Sequence, residues 1–87
     1  DQDVSASQEL PIPEGCFAVR AHAGGSVWDI LVNHQDEVKQ GQSAIILEAM
    51  KTEIKVDIHL PGIVEEIRVK KGHLVNQGEV LFVVRAA

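Results

Sequence analysis

The chain has 87 residues, 45% of them hydrophobic, which bounds it to one small domain with little room for a deep catalytic cleft. Its formal net charge is −5, and its only adjacent basic pair is Lys70-Lys71. That balance excludes nucleic acid and an anionic membrane as partners. No apolar run approaches the ~18 residues that a spanning helix needs, and no signal-peptide pattern is read. Cys16 is the single cysteine, so no disulfide framework exists and a reducing, cytoplasmic location is expected.

Residues 1–14 are rich in Gln, Ser, Asp and Pro and lack apolar periodicity, so they are expected to form a flexible linker. Residues 15–87 are expected to form the folded domain. The first residue is Asp rather than Met, and the chain is expected to be a piece of a longer polypeptide. Helix signals are almost absent. Short β-branched runs separated by glycines predict strands over 17–21, 26–32, 43–48, 52–57, 63–69 and 79–85, with two very short ones around Val38 and Val75.

These strands are organised by an internal repeat. A shift of 37 places residues 25–47 on 62–84, with seven identities in 23 positions: Gly25, Val27, Ile30, Val32, Val38, Gln40 and Gly41 fall on Gly62, Val64, Ile67, Val69, Val75, Gln77 and Gly78. Two copies are too few for a solenoid, and they predict two similar β-units closing on each other. In each copy the apolar residues are spaced three and then two apart (Val27, Ile30, Val32; Val64, Ile67, Val69). Period 2 cannot hold across the three-residue step, so each copy is expected to carry a β-bulge that bends its strand. Gly41, Gly72 and Gly78 are expected at positive φ in turns, with Gln35 at the place of Gly72 in the first copy. The predicted core is Val27, Ile30, Val32, Ile46, Ile54, Val64, Ile67, Val69 and Val83.

The junction between the copies carries the chemistry. An apolar run ending at Leu47 and an alternating run starting at Thr52 leave room only for a tight hairpin. Its centre, Met50-Lys51, lacks the Asn-Gly or Asp-Gly that such loops favour. Forcing non-glycine residues to positive φ costs energy, and strain of that kind is kept mainly where function needs it. On spacing alone, a solvated surface lysine, which most lysines are, is the more economical reading of Lys51.

The residues themselves point further. Glu48-Ala49-Met50-Lys51, in a hairpin between two β-repeats, resembles the attachment motif of the biotinyl domains of biotin-dependent carboxylases, over about residues 17–85. Lipoyl domains share the architecture but place Asp before and Ala after the lysine, where this chain has Met50 and Thr52. The biotinyl family usually has a second Met after the lysine, and Thr52 departs from that. The resemblance implies an all-β fold, a flattened barrel-sandwich of two four-stranded antiparallel sheets with quasi-twofold symmetry. It also implies covalent biotin on Lys51, with Glu48, Ala49, Met50, Thr52 and Glu53 as the recognition motif. A biotin protein ligase would attach biotin through an amide, giving an arm on the order of 12–15 Å. Biotin carboxylase and carboxyltransferase domains, expected on the same polypeptide, would load and unload a carboxyl group. The run Gly25-Ser26-Val27-Trp28, preceded by Pro13-Glu14-Gly15, looks most like the urea carboxylase and urea amidolyase type, which implies urea or a related small amide as acceptor.

Other constellations are weaker. His22 and His59 are repeat-related but have no third ligand at suitable spacing, so turn roles are expected rather than a metal site. Trp28, the one large aromatic, is expected to cap the barrel by packing. Glu48 and Glu53 flank the lysine on a solvated hairpin and read as partner recognition, not as an acid/base pair. No catalytic residue is expected. Two other function classes stay open on the residues: a lipoyl-type acyl carrier, and an unmodified barrel-sandwich module that only makes protein contacts.

Overall fold

Alternating apolar residues with a doubled step build strands that must bend, and the computed structural model, which describes residues 10–87, shows where they do so. Residues 1–9 of the expected linker lie outside the described residues. Eight strands follow in order: β1 (Cys16–Arg20), β2 (Gly25–Ile30), β3 (Glu37–Val38), β4 (Ser43–Ala49), β5 (Thr52–Asp57), β6 (Gly62–Ile67), β7 (Leu74–Val75) and β8 (Val80–Ala86). They form two antiparallel sheets of four, ordered β1-β8-β6-β3 and β5-β4-β2-β7, and the domain is flattened to 17 Å along its shortest axis.

The 37-residue shift carries β1, β2, β3 and β4 onto β5, β6, β7 and β8, so it turns one sheet order into the other. The quasi-twofold extends to single hydrogen bonds. Gln35 N–H donates to the Val64 carbonyl, and Gly72 N–H donates to that of Val27, both at 2.8 Å. Gly41 N–H reaches the Ile58 carbonyl and Gly78 N–H reaches that of Ala21, both at 2.7 Å. Even a side-chain turn bond repeats: Gln42 Oε1 accepts from Lys39 N–H, as Glu79 Oε1 does from Asn76 N–H, both at 3.0 Å. Each half therefore closes its turns on the strands of the other.

The expected bulges are present. Register slips between Val27 and Asp29 against β4, and between Val64 and Glu66 against β8, leaving Trp28 and Glu65 as the extra residues. A second related pair was not foreseen: register also slips across Ala44 in β4 and across Leu81 in β8. Gly41, Gly72 and Gly78 have positive φ, and so does Gln35 at 76°.

Val27, Val32, Val64, Val69 and Val83 are buried as expected, while Ile30, Ile54 and Ile67 pack against the core half-buried. Two expectations need correction. Ile46 is not in the core, because its partners across the ladder are Asp29 and Lys55 and all three lie on the outer face of their sheet. The inward places on that strand belong to Ile45 and Leu47. Trp28 does not cap the barrel: as the bulge residue it is turned out of the alternation and stays 54% exposed.

Candidate functional site

β4 and β5 run in continuous register down to Ala49 opposite Thr52, so the loop between them is only Met50 and Lys51. A two-residue loop that follows the right-handed twist of its strands needs positive φ at both positions. Met50 and Lys51 adopt 51° and 64°. For residues with a Cβ this left-handed conformation costs about 1–2 kcal/mol each. The turn is therefore held by the ladder beneath it and not by its own residues, as the sequence led one to expect.

The hairpin is seated by a glycine on the neighbouring strand. Gly25 opens β2 so close to the end of β4 that a Cβ there would lie 2.7 Å from the Glu48 carbonyl oxygen and 3.4 Å from the Ala49 Cβ. Its repeat mate Gly62 is pinched in the same way against Val84 and Arg85. The repeat pattern marks both glycines, but only the three-dimensional pairing shows that one of them sets the height of the hairpin.

The six motif residues come together as follows. Met50 is 95% exposed, Lys51, Thr52 and Glu53 are exposed, and Glu48 and Ala49 are half-buried. Lys51 is exposed and has no hydrogen-bond or ion-pair partner among the described residues. Glu48 and Glu53 are direct partners across the ladder and share the outer face with Ser26 and Leu74. Like charges in that relation repel. Neither carboxylate has an ion-pair partner among the described residues, and Lys71 on the same sheet pairs with Asp29 at 3.5 Å instead. An unneutralised carboxylate pair beside a free amine suits a basic partner and gives no acid/base geometry.

The remaining candidates do not join this site. His59 is exposed and its ring sits 4.9 Å from that of Phe17, a packing contact, while His22 is exposed. Among the described residues no group of three or more His, Cys, Asp or Glu could hold a metal ion. What the arrangement can do chemically is present one primary amine at the tip of a rigid hairpin, open to acylation.

Comparison with known proteins agrees with this geometry. A family model described as "Biotin-requiring enzyme" matches residues 9–84. The chain is 40% identical over 65 residues to the biotin/lipoyl attachment protein of Bacillus subtilis, covering 75% of this chain and 89% of that one. It is 38% identical over 80 residues to the biotin carboxyl carrier protein of Streptococcus mutans, covering 92% of this chain and 55% of that one. In three dimensions it resembles the urea carboxylase of Kluyveromyces lactis with a TM-score of 0.80 and 30% identity, over 88% of this chain but only 7% of the enzyme. The chain thus spans most of the bacillary protein, about half of the streptococcal one and a small part of the carboxylase.

Proposed function

Because the chain belongs to the biotin/lipoyl family of biotin-requiring enzymes, we propose that Lys51 is the residue to which its biotin is joined. The chain is a biotin carboxyl carrier domain, and its contribution is position, not bond-making. One observation supports the assignment of the site: a lysine with no partner among the described residues stands on a two-residue turn that needs positive φ, where glycine or asparagine would be the less strained choice. When bound, biotin supplies a ureido nitrogen that can accept and release a carboxyl group. The residues of the chain do the rest. Gly25 and the β4–β5 ladder hold the turn at a fixed height, Met50 and Thr52 flank the amine without covering it, and Glu48 and Glu53 offer charge to an approaching protein.

The partners follow from the chemistry. A biotin protein ligase must form the amide at Lys51, and a biotin carboxylase and a carboxyltransferase must then be visited in turn. The likeness to a urea carboxylase supports urea or a related small amide as the acceptor. The setting is cytoplasmic in this reading. Cys16 is a free thiol, and no helix among the described residues is long and apolar enough to cross a membrane.

The test is intact-mass measurement with streptavidin capture on chain co-expressed with biotin ligase, in parallel with chain co-expressed with a lipoate ligase. Biotin addition at one lysine is expected. Lipoate addition alone would move the site to the acyl carriers, and no addition under either condition would leave only a protein-contact module.

A further inference from the structure

The two quasi-equivalent sheets do not have equivalent outer faces. On β8, Phe82 and Val84 pair with the inward residues Val19 and Ile67, and Phe17 and Val64, whereas Val83 pairs with Ala18 and Glu66 and therefore points outward. An outward valine at the centre of a sheet should be wetted, yet Val83 is 0% exposed. Its repeat mate Ile46, outward on the other sheet, is only half-buried. Something covers one face and not the other.

The difference traces to one substitution within the repeat. Arg68 stands where the first copy has Leu31, which is exposed. The backbone role of the two is the same: Leu31 N–H donates to the Ala44 carbonyl, and Arg68 N–H to that of Leu81. The side chains part company. Arg68 Nε pairs with Glu66 at 3.1 Å, while its two terminal nitrogens donate to the carbonyls of Leu10 and Pro11, each at 2.9 Å. Its side chain is only 12% exposed, all of its nitrogens are used, and Ile12 beside the held carbonyls is half-buried. A guanidinium is suited to this task, because its planar fork offers parallel donors while its stem covers apolar surface.

We infer that the outer face of the β1-β8-β6-β3 sheet is a docking surface for the chain's own residues 10–12, clasped there by Arg68 over Val83. The independently moving carrier then begins at Leu10 and not at Gly15. Leu10 and Pro11 are thereby held on the sheet that does not bear Lys51. Undoing the clasp would free the five residues from Leu10 to Glu14, adding at most about 18 Å of reach, while Gly15 stays held by Ala86 N–H. The clasp therefore sets the effective length of the tether. This inference does not depend on what Lys51 carries.

Two measurements on the full chain test it. Glutamate-specific proteolysis at Glu14 should be about tenfold faster in Arg68→Leu, the residue its repeat mate uses, because hydrogen bonds to a charged group are lost. Cleavage at Glu48 and Glu53 serves as the control and should not change. Equal rates at Glu14 in both proteins, with the control sites unchanged, would overturn the clasp. In the unaltered chain, which cannot fail through misfolding of a variant, nuclear Overhauser contacts are expected between the Val83 methyls and protons of residues 10–12. Their absence, with the Phe82 and Val84 contacts present, would equally overturn it.

Discussion

The two ends of the barrel are the same corner of the fold built twice, once closed and once cut. At one end β4 passes into β5 through Met50 and Lys51. At the other, the 37-residue shift puts Ala87 on Met50 and Glu14 on Lys51, so the turn is replaced by the place where the chain leaves and enters. The ladder beneath survives: Ala86 N–H donates to the Gly15 carbonyl at 3.0 Å, at the place of the Ala49–Thr52 pair. A closed turn at this corner is therefore not a condition of the fold, and the residues of the hairpin are released from structural duty. Charge follows the same division. Arg85 pairs with Glu65 at the cut end, whereas its repeat mate Glu48 faces Glu53 at the closed one.

The comparison breaks first at the lysine. Lys51→Ala should abolish streptavidin capture completely while the denaturation midpoint stays within error, because an exposed turn side chain adds little packing. Residual labelling at Lys55, Lys39, Lys70 or Lys71 would show that the hairpin is not what selects the site.

Next come the paired core positions Ile45 and Phe82, related by the shift and both fully buried. Truncation of Phe82 to Ala should cost about 3–5 kcal/mol and of Ile45 about 2–5 kcal/mol by urea denaturation. If one loss were negligible, the two halves would not share a core on equal terms.

The glycines sharpen the contrast between the ends. Gly25→Ala and Gly62→Ala should each destabilise by about 1–3 kcal/mol, as overpacking does. Only Gly25→Ala should also slow labelling of Lys51, measured at equal folded fraction, since only Gly25 seats the hairpin. The smallest effect belongs to the left-handed position shared by Gln35 and Gly72. Gln35→Gly should gain about 0.5–1 kcal/mol, and Gly72→Gln should lose about 1–2 kcal/mol. A loss in the first variant would mean that the Gln35 side chain, 3.2 Å from the His34 ring, outweighs its backbone strain.

The repeat made most of this legible in advance. The three-then-two spacing announced one bulge in each copy, between Val27 and Ile30 and between Val64 and Ile67, and the Gly72–Gln35 correspondence located a strained turn. What escaped the sequence were relations set by which face a segment covers. Period 2 cannot say that Trp28 is the residue squeezed out of the ladder, nor that Ile46 rather than Ile45 faces outward once Ala44 is absorbed by a second bulge. Val83 was expected to be buried and is, but on the outer face. The cause lies in Arg68 reaching a segment 57 and 58 residues away in the chain, which no local pattern encodes.

The exchange of turn bonds between the halves also has a kinetic meaning. Gln35 and Gly41 are satisfied by carbonyls of Val64 and Ile58, and Gly72 and Gly78 by those of Val27 and Ala21. Neither half can complete its turns before the other is in place, so there is no smaller unit that could form early and wait. Folding has to cross one barrier dominated by distant pairings, which places it among the slow all-β domains, in milliseconds to seconds. Fragments cut at the hairpin should each remain unstructured and regain strand signal only when mixed. On the ribosome, the β4–β5 hairpin is expected to settle only after β8 has emerged.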